Sequence, residues 1–205
     1  MRLLLIRHGE TDHNAGRVAL GQADVPLNER GLAQAEALAR YLGSATRYGR
    51  IEAVYASPLQ RTQSTAAPLA SALGLALQTE PALIEMDIGE VEGLSYQDVR
   101  ERYPDFMRAW LSDELADAPM PGGESLRQVQ KRAWAAVESM RERHTDETVA
   151  AVTHNFVILT LLCRALELPL SRFRRLRQDL ASVSVVELTP ERATVLSMND
   201  GCHLA

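Results

Sequence analysis

Apolar positions along the chain follow two rhythms. Short unbroken runs at residues 3–6 (LLLI), 53–56 (AVYA) and 149–152 (VAAV) read as buried strands, and each ends at a polar cluster. A further strand is predicted at 75–78, and residues 183–188 and 193–197 predict a closing hairpin across "TPER". Between these runs the period lengthens to that of a helix. "LNERGLAQAEALARYLG" places Leu32, Ala35, Leu38, Ala39 and Leu42 on one face, with Asn28 as cap and Gly43 as stop. "SPLQRTQSTAAPLASALG" predicts a helix that starts at Ser57-Pro58, carries Arg61 in its first turn and is kinked or interrupted at Pro68. In "PGGESLRQVQKRAWAAVESMRERH", Ser125 and Gln128 have capping-box spacing, and Leu126, Val129, Ala133, Val137 and Met140 fall in helical register.

Strands alternating with helices predict an α/β protein, a three-layer α/β/α sandwich around a mainly parallel sheet. With 205 residues, 46% of them hydrophobic, the chain has enough material for one core and little for two, so residues 1–205 are expected to form one domain. Residues 89–123, rich in charge and proline, are expected to form a lid or insertion of short helices.

Charge narrows the function. A net charge of −5 and a pI near 5.6 argue against a nucleic-acid surface, so any anion site must be a local cluster of Arg and His. Cys163 and Cys202 are too few for a disulfide framework and lack metal-ligand spacing, which fits a reducing cytoplasm. No window approaches the roughly 20 apolar residues of a membrane span. No membrane partner is expected.

Three predicted strands end in reactive residues. The first runs into Arg7-His8-Gly9, the second into Ser57-Pro58 with Arg61 one turn further on, and the third into Thr153-His154-Asn155. Ligands of open α/β sheets bind beyond the carboxyl ends of the strands. If the three strands are neighbours, two histidines and two arginines share one pocket. Arginine forks and helix N-termini suit phosphoryl oxygens, and a neutral imidazole held at one nitrogen can attack phosphorus with the other. The second histidine, protonated, would stabilise charge on the transferring group, and an Asp or Glu of raised pKa would protonate the leaving alcohol and then activate water. Each fragment alone reads more readily as a capping or surface residue; their conjunction is harder to explain as packing. Among Glu85, Asp87, Glu90 and Glu92 the residues alone do not single out the acid.

"LIRHGET" with downstream Asn14 resembles the signature of the histidine phosphatase superfamily, the phosphoglycerate-mutase-like group that works through a phosphohistidine. "GQADVPLNERG", "VYASPLQRTQSTA", "LIEMDIGEVEG", "VAAVTHN" and the "NDGCHL" tail agree in order, so the resemblance covers nearly the whole chain. It implies His8 as nucleophile, Arg7, Arg61 and His154 as the phosphate pocket and Glu85 as proton donor. Asn14 and Gln22 would line the phosphate and substrate side, and the Asn155 backbone N–H would meet a phosphate oxygen. The chain departs from the family pattern at Asn155-Phe156, where a glycine usually follows the histidine. Glu10 is expected to support the loop, Asp12 and His13 to face solvent, His144 and His203 to be structural, and Lys131 and the Arg172 to Arg177 run to form an exposed face.

The compact "EMDIGEVEGLSYQDVRERYPDF" segment resembles that of the phosphatases, of which α-ribazole phosphatase is one, more than the longer insertion of the mutases. Hydrolysis of a small phosphomonoester is the expected reaction, with no cofactor and no metal. The alternatives are a cofactor-dependent phosphoglycerate mutase, a phosphate-binding module without turnover, and a metal-dependent hydrolase, against which the two arginines argue. Leu94, Tyr96, Phe106, Met107 and Trp110 serve equally as the wall of a pocket for a bulky alcohol or as core contacts of the lid. A homodimer through an edge strand fits this architecture.

Overall fold

The computed structural model describes residues 1–44, 47–113 and 115–204. In chain order the elements are β1 (Arg2–Arg7), α1 (Asp12–Gly16), α2 (Glu29–Ser44), β2 (Ile51–Ala56), α3 (Gln60–Leu73), β3 (Leu77–Thr79), α4 (Tyr96–Arg102), α5 (Pro104–Trp110), α6 (Leu126–Arg143), β4 (Thr148–Thr153), α7 (Asn155–Ala165), β5 (Val183–Leu188) and β6 (Ala193–Asp200). The sheet runs in the order β3-β2-β4-β1-β5-β6. β3, β2, β4 and β1 are parallel, and β5 and β6 are antiparallel to their neighbours. This is the expected three-layer α/β sandwich.

Strand alternation divides the core. Leu3, Leu5, Ala53, Tyr55, Val149 and Ala151 point to the face covered by α6 and α7, while Leu4, Ile6, Val54, Ala56, Ala150 and Val152 point to the face covered by α2 and α3. All six residues of β4 are buried, as a central strand covered on both faces requires. α7 buries eight of its eleven residues. A helix apolar on nearly every side is held from all directions, which fixes the position of its N-terminus at His154.

Three expectations need correction. α3 begins at Gln60, not at Ser57-Pro58; Leu59 is its cap residue, and Asp24 Oδ1 accepts the Gln60 N–H at 2.7 Å in place of a local side-chain cap. Pro68 does not interrupt α3, because the buried Ala66, Leu69 and Ala70 pack the helix onto the sheet on both sides of the missing donor. Gly43 does not stop α2, which continues to Ser44; Ala45 and Thr46 lie outside the described residues. Asn28 does cap α2, its Oδ1 accepting the Gly31 N–H at 2.9 Å. β3 lies two residues later than expected at its start, and β6 runs on to Asp200. Among the described residues no helix is long and apolar enough to cross a membrane.

Candidate active site

The sheet register brings the predicted residues together. β1 and β4 pair as far as Arg7 with Thr153, and β2 and β4 as far as Ala56 with Val152. Backbone bonds then carry the alignment one residue past each strand: His8 N–H donates to the Thr153 carbonyl at 3.0 Å, and Ser57 N–H to the Val152 carbonyl at 3.0 Å. His8, Ser57 and His154 therefore leave the sheet side by side. The two imidazole centroids are 5.3 Å apart.

Each ring has one nitrogen committed. His8 Nδ1 lies 2.7 Å from the Gly9 carbonyl oxygen, which can only accept, so Nδ1 carries the proton and Nε2 keeps its lone pair. His154 Nε2 lies 2.7 Å from Ser57 Oγ, while its Nδ1 is buried without a partner. The turn that sets His8 is tight: Gly9 N–H donates to Thr65 Oγ1 at 3.0 Å, and a Cβ on Gly9 would fall 2.6 Å from the Gly31 carbonyl oxygen. Only a residue without a side chain lets this turn lie against the start of α2.

Arg61, in the first turn of α3, is fully buried and donates to the carbonyls of Ala23 at 2.8 Å and Gly21 at 2.6 Å. Arg7 donates to the Gln178 carbonyl at 2.7 Å. The Nε groups of both arginines are buried and unpartnered. Burial lowers the pKa of both, opposed first in each case by the carboxylate of Glu85. The same environment acts harder on the histidines. Burial first, then Arg61, hold His8 and His154 well below the ordinary imidazole value. Both rings are neutral at pH 7 in the protein alone, so the second histidine is not intrinsically protonated as the sequence suggested; two guanidinium groups beside it oppose that. A dianion among these groups would reverse the sign of the field, and unpartnered buried donors favour it further.

Glu85 is buried, and burial raises its pKa above the usual carboxylate range, while the Met86 N–H, Arg61, the Phe156 N–H and Arg7 act in the opposite direction. Its Oε1 accepts the Met86 N–H at 2.8 Å and its Oε2 the Phe156 N–H at 3.4 Å. The backbone beneath it is braced from two sides. Arg132 of α6 donates to the carbonyls of Ala82, Ile84 and Glu85 and pairs with Glu124 at 2.8 Å, and Gln22 donates to the Glu85 carbonyl at 2.9 Å. The neighbouring acids have other tasks: Asp87 accepts the Gly89 N–H, Glu90 the Tyr103 hydroxyl, and Glu92 the N–H groups of Gly21 and Ala23.

Arg7, His8, Arg61, Glu85 and His154 thus gather at one end of the sheet. Asn14 stands near Arg7 on a cleft wall, but its Oδ1 is engaged in the α1 capping box with Thr11. Gln22 donates its Nε2 to the Glu85 carbonyl. Asn155 is the first residue of α7, and it is the next N–H, that of Phe156, that reaches Glu85. Glu10 does support its loop, bound to Asn28 and Arg30, and His144 is held between Tyr55 and Glu147. Sequence reading missed Ser57 as a partner of His154, although it ends a strand as both histidines do, and missed Arg132, for which no local signal exists.

The profile of the histidine phosphatase superfamily, branch 1, matches residues 3–201, and the chain belongs to that family. Phosphoserine phosphatase 1 of Hydrogenobacter thermophilus is 35% identical over all of this chain and 94% of its own length. The metal-independent phosphoserine phosphatase of Arabidopsis thaliana is 35% identical over 99% of this chain and 83% of its own. Among solved structures, a putative alpha-ribazole-5'-P phosphatase of Escherichia coli superposes with a TM-score of 0.86 at 29% identity, covering 98% of this chain and 96% of that one.

Proposed function

We propose that this protein hydrolyses a small phosphomonoester in two steps through a phosphohistidine on His8. The observation that carries the reading is a buried neutral imidazole, its proton fixed on Nδ1 by the Gly9 carbonyl, beside two buried arginines with unpartnered Nε groups. His8 Nε2 attacks phosphorus and the bond from phosphorus to the alcohol oxygen breaks. Glu85, whose pKa burial raises, gives a proton to that oxygen. Glu85 then takes a proton from water, the resulting hydroxide attacks the phosphohistidine, and inorganic phosphate leaves with His8 restored. Arg7, Arg61 and the His154 Nδ1 hold the phosphoryl oxygens throughout, with Asn14 and the first N–H groups of α7 at the rim. Ser57 orients His154.

Hydrolysis is favoured over mutase chemistry because the chain's one lysine, Lys131, is exposed on α6, away from any role in holding a carboxylated substrate. We take residues 1–205 as one catalytic domain working in the cytoplasm, where the unpaired Cys163 and Cys202 remain reduced. The test is phosphate release from a panel of phosphomonoesters in the presence of chelator. Hydrolysis by wild type, with an acid-labile and alkali-stable phosphoryl label that is absent from His8→Ala, supports the mechanism. Turnover without that label, or turnover abolished by chelator, overturns it.

A further inference from the structure

Beside the phosphate site the structure holds a cavity of about 280 Å3, bounded by α4, α5 and the segment that follows α1. Leu94, Phe106, Trp110 and Phe156 form much of its wall, and among the described residues Arg17 is the one charged residue lining it. The hollow is open to solvent and lined by aromatic rings, the shape and chemistry of a ligand seat. An apolar cavity of roughly 150 Å3 already holds a benzene.

Phe156 ties this hollow to the chemistry. Its backbone N–H meets Glu85 Oε2 at 3.4 Å, while its ring packs against Trp110 and Phe173 with centroids 6.1 and 6.0 Å away. The residue that forms part of the wall is thus also one that contacts the proton donor. We propose that the cavity seats the alcohol portion of the substrate, that this alcohol is a flat apolar group of one or two fused rings, and that Phe156 is the specificity-determining residue. The inference rests on the hydrolytic reading above and names its substrate class. A phosphorylated amino acid fits poorly, because among the described residues the lining offers no carboxylate for its ammonium group.

The experiment compares kcat/KM for naphthylmethyl phosphate, benzyl phosphate and phosphoserine, all esters of primary alcohols, so that leaving-group acidity changes little. Wild type is expected to favour the naphthylmethyl ester over phosphoserine by roughly tenfold or more, and Phe156→Gly to reduce that ratio by roughly tenfold. Phe156→Leu, which keeps an apolar wall and spares the fold, is expected to reduce it less. Using the ratio cancels any effect of these variants on Glu85. A wild-type preference for phosphoserine, or a ratio unchanged in both variants, overturns the assignment of the cavity and leaves hydrolysis standing. If none of the three esters and no p-nitrophenyl phosphate is hydrolysed, the hydrolytic reading itself fails; calorimetry on His8→Ala then decides the cavity, with tighter binding of the naphthylmethyl ester than of phosphoserine supporting it and equal or weaker binding overturning it.

Discussion

The phosphate cradle and the cavity beside it are built by different means. His8, Ser57 and His154 are the first residues beyond three hydrogen-bonded parallel strands, and their positions follow from register. The cavity is walled by α4 and α5, helices of seven residues each, which are too short to be stable alone and depend on local capping and on burial of Val99, Met107 and Trp110. The contrast teaches a division of labour. The histidines are placed by the sheet and cannot shift without it, whereas most of the wall beside them belongs to a segment that can be rebuilt while the register stays intact.

The strongest way to break this contrast is His8→Ala. It should keep the circular dichroism and melting transition of the fold and lower kcat by at least roughly 10⁴, since it removes the nitrogen that attacks phosphorus in this reading. A variant that unfolds would show that the cradle is less independent of its side chains than the register implies. Glu85→Gln comes next. A loss of about 10² to 10⁴ in kcat is expected for alkyl esters and a much smaller one for p-nitrophenyl phosphate, whose leaving oxygen needs no proton; equal losses would remove Glu85 from the role of acid. Arg132→Met sharpens the comparison from a distance. It releases three carbonyls around Glu85, and a donor displaced by about an ångström costs on the order of 10² in kcat with little change in KM. The alkaline limb of the pH profile for alkyl esters should move as well, which a loss of stability alone would not produce.

Stability against pH probes the cradle without substrate. His8 and His154 have folded pKa values depressed well below 6.5, so below that pH the unfolded chain binds more protons than the folded one. Stability is full above about 6.5 and falls with acid, by up to about 2.7 kcal/mol per pH unit for two such groups. Glu85, with its raised pKa, works in the opposite sense: the folded state binds its proton first, which offsets part of the loss as pH falls toward 4.5. Urea unfolding between pH 7 and 5 should show a shallower slope for His8→Asn than for wild type. The smallest effect belongs to the lid. Ser95→Ala removes the capping box of α4, costs about 1 kcal/mol and should speed amide exchange there while leaving phosphate affinity unchanged. Weakened phosphate binding would mean that the two regions are coupled.

Strand ends were legible because buried strands show as short apolar runs, and a histidine directly after such a run stands out. The residues that hold those histidines were not. Ser57 read as the start of a helix, yet its hydroxyl turns to His154 because β2 lies next to β4, a neighbour 97 positions away that no local pattern announces. Arg132 sits inside an amphipathic helix where an arginine is unremarkable, and its role exists only because α6 packs against residues 81–85. Among four acids within eight residues, Glu85 could be picked only by resemblance. In the fold it is distinguished because it alone of the four is buried, with the charges of Arg61 and Arg7 acting on it. Pro68 shows the reverse error, a local signal overridden by packing around it.

The side-by-side exit of the two imidazoles has a further consequence. Neighbouring strands lie about 4.8 Å apart, and the ring centroids stand at 5.3 Å. The spacing of the two imidazoles is therefore close to a lattice constant of the backbone. Mutations inside β1 or β4 cannot widen it by degrees. Either the strands stay paired and each molecule works at full speed, or a strand slips by one residue and His8 turns to the opposite face. Damage to this core should thus appear in titrations of active sites as fewer competent molecules, with turnover per competent molecule unchanged.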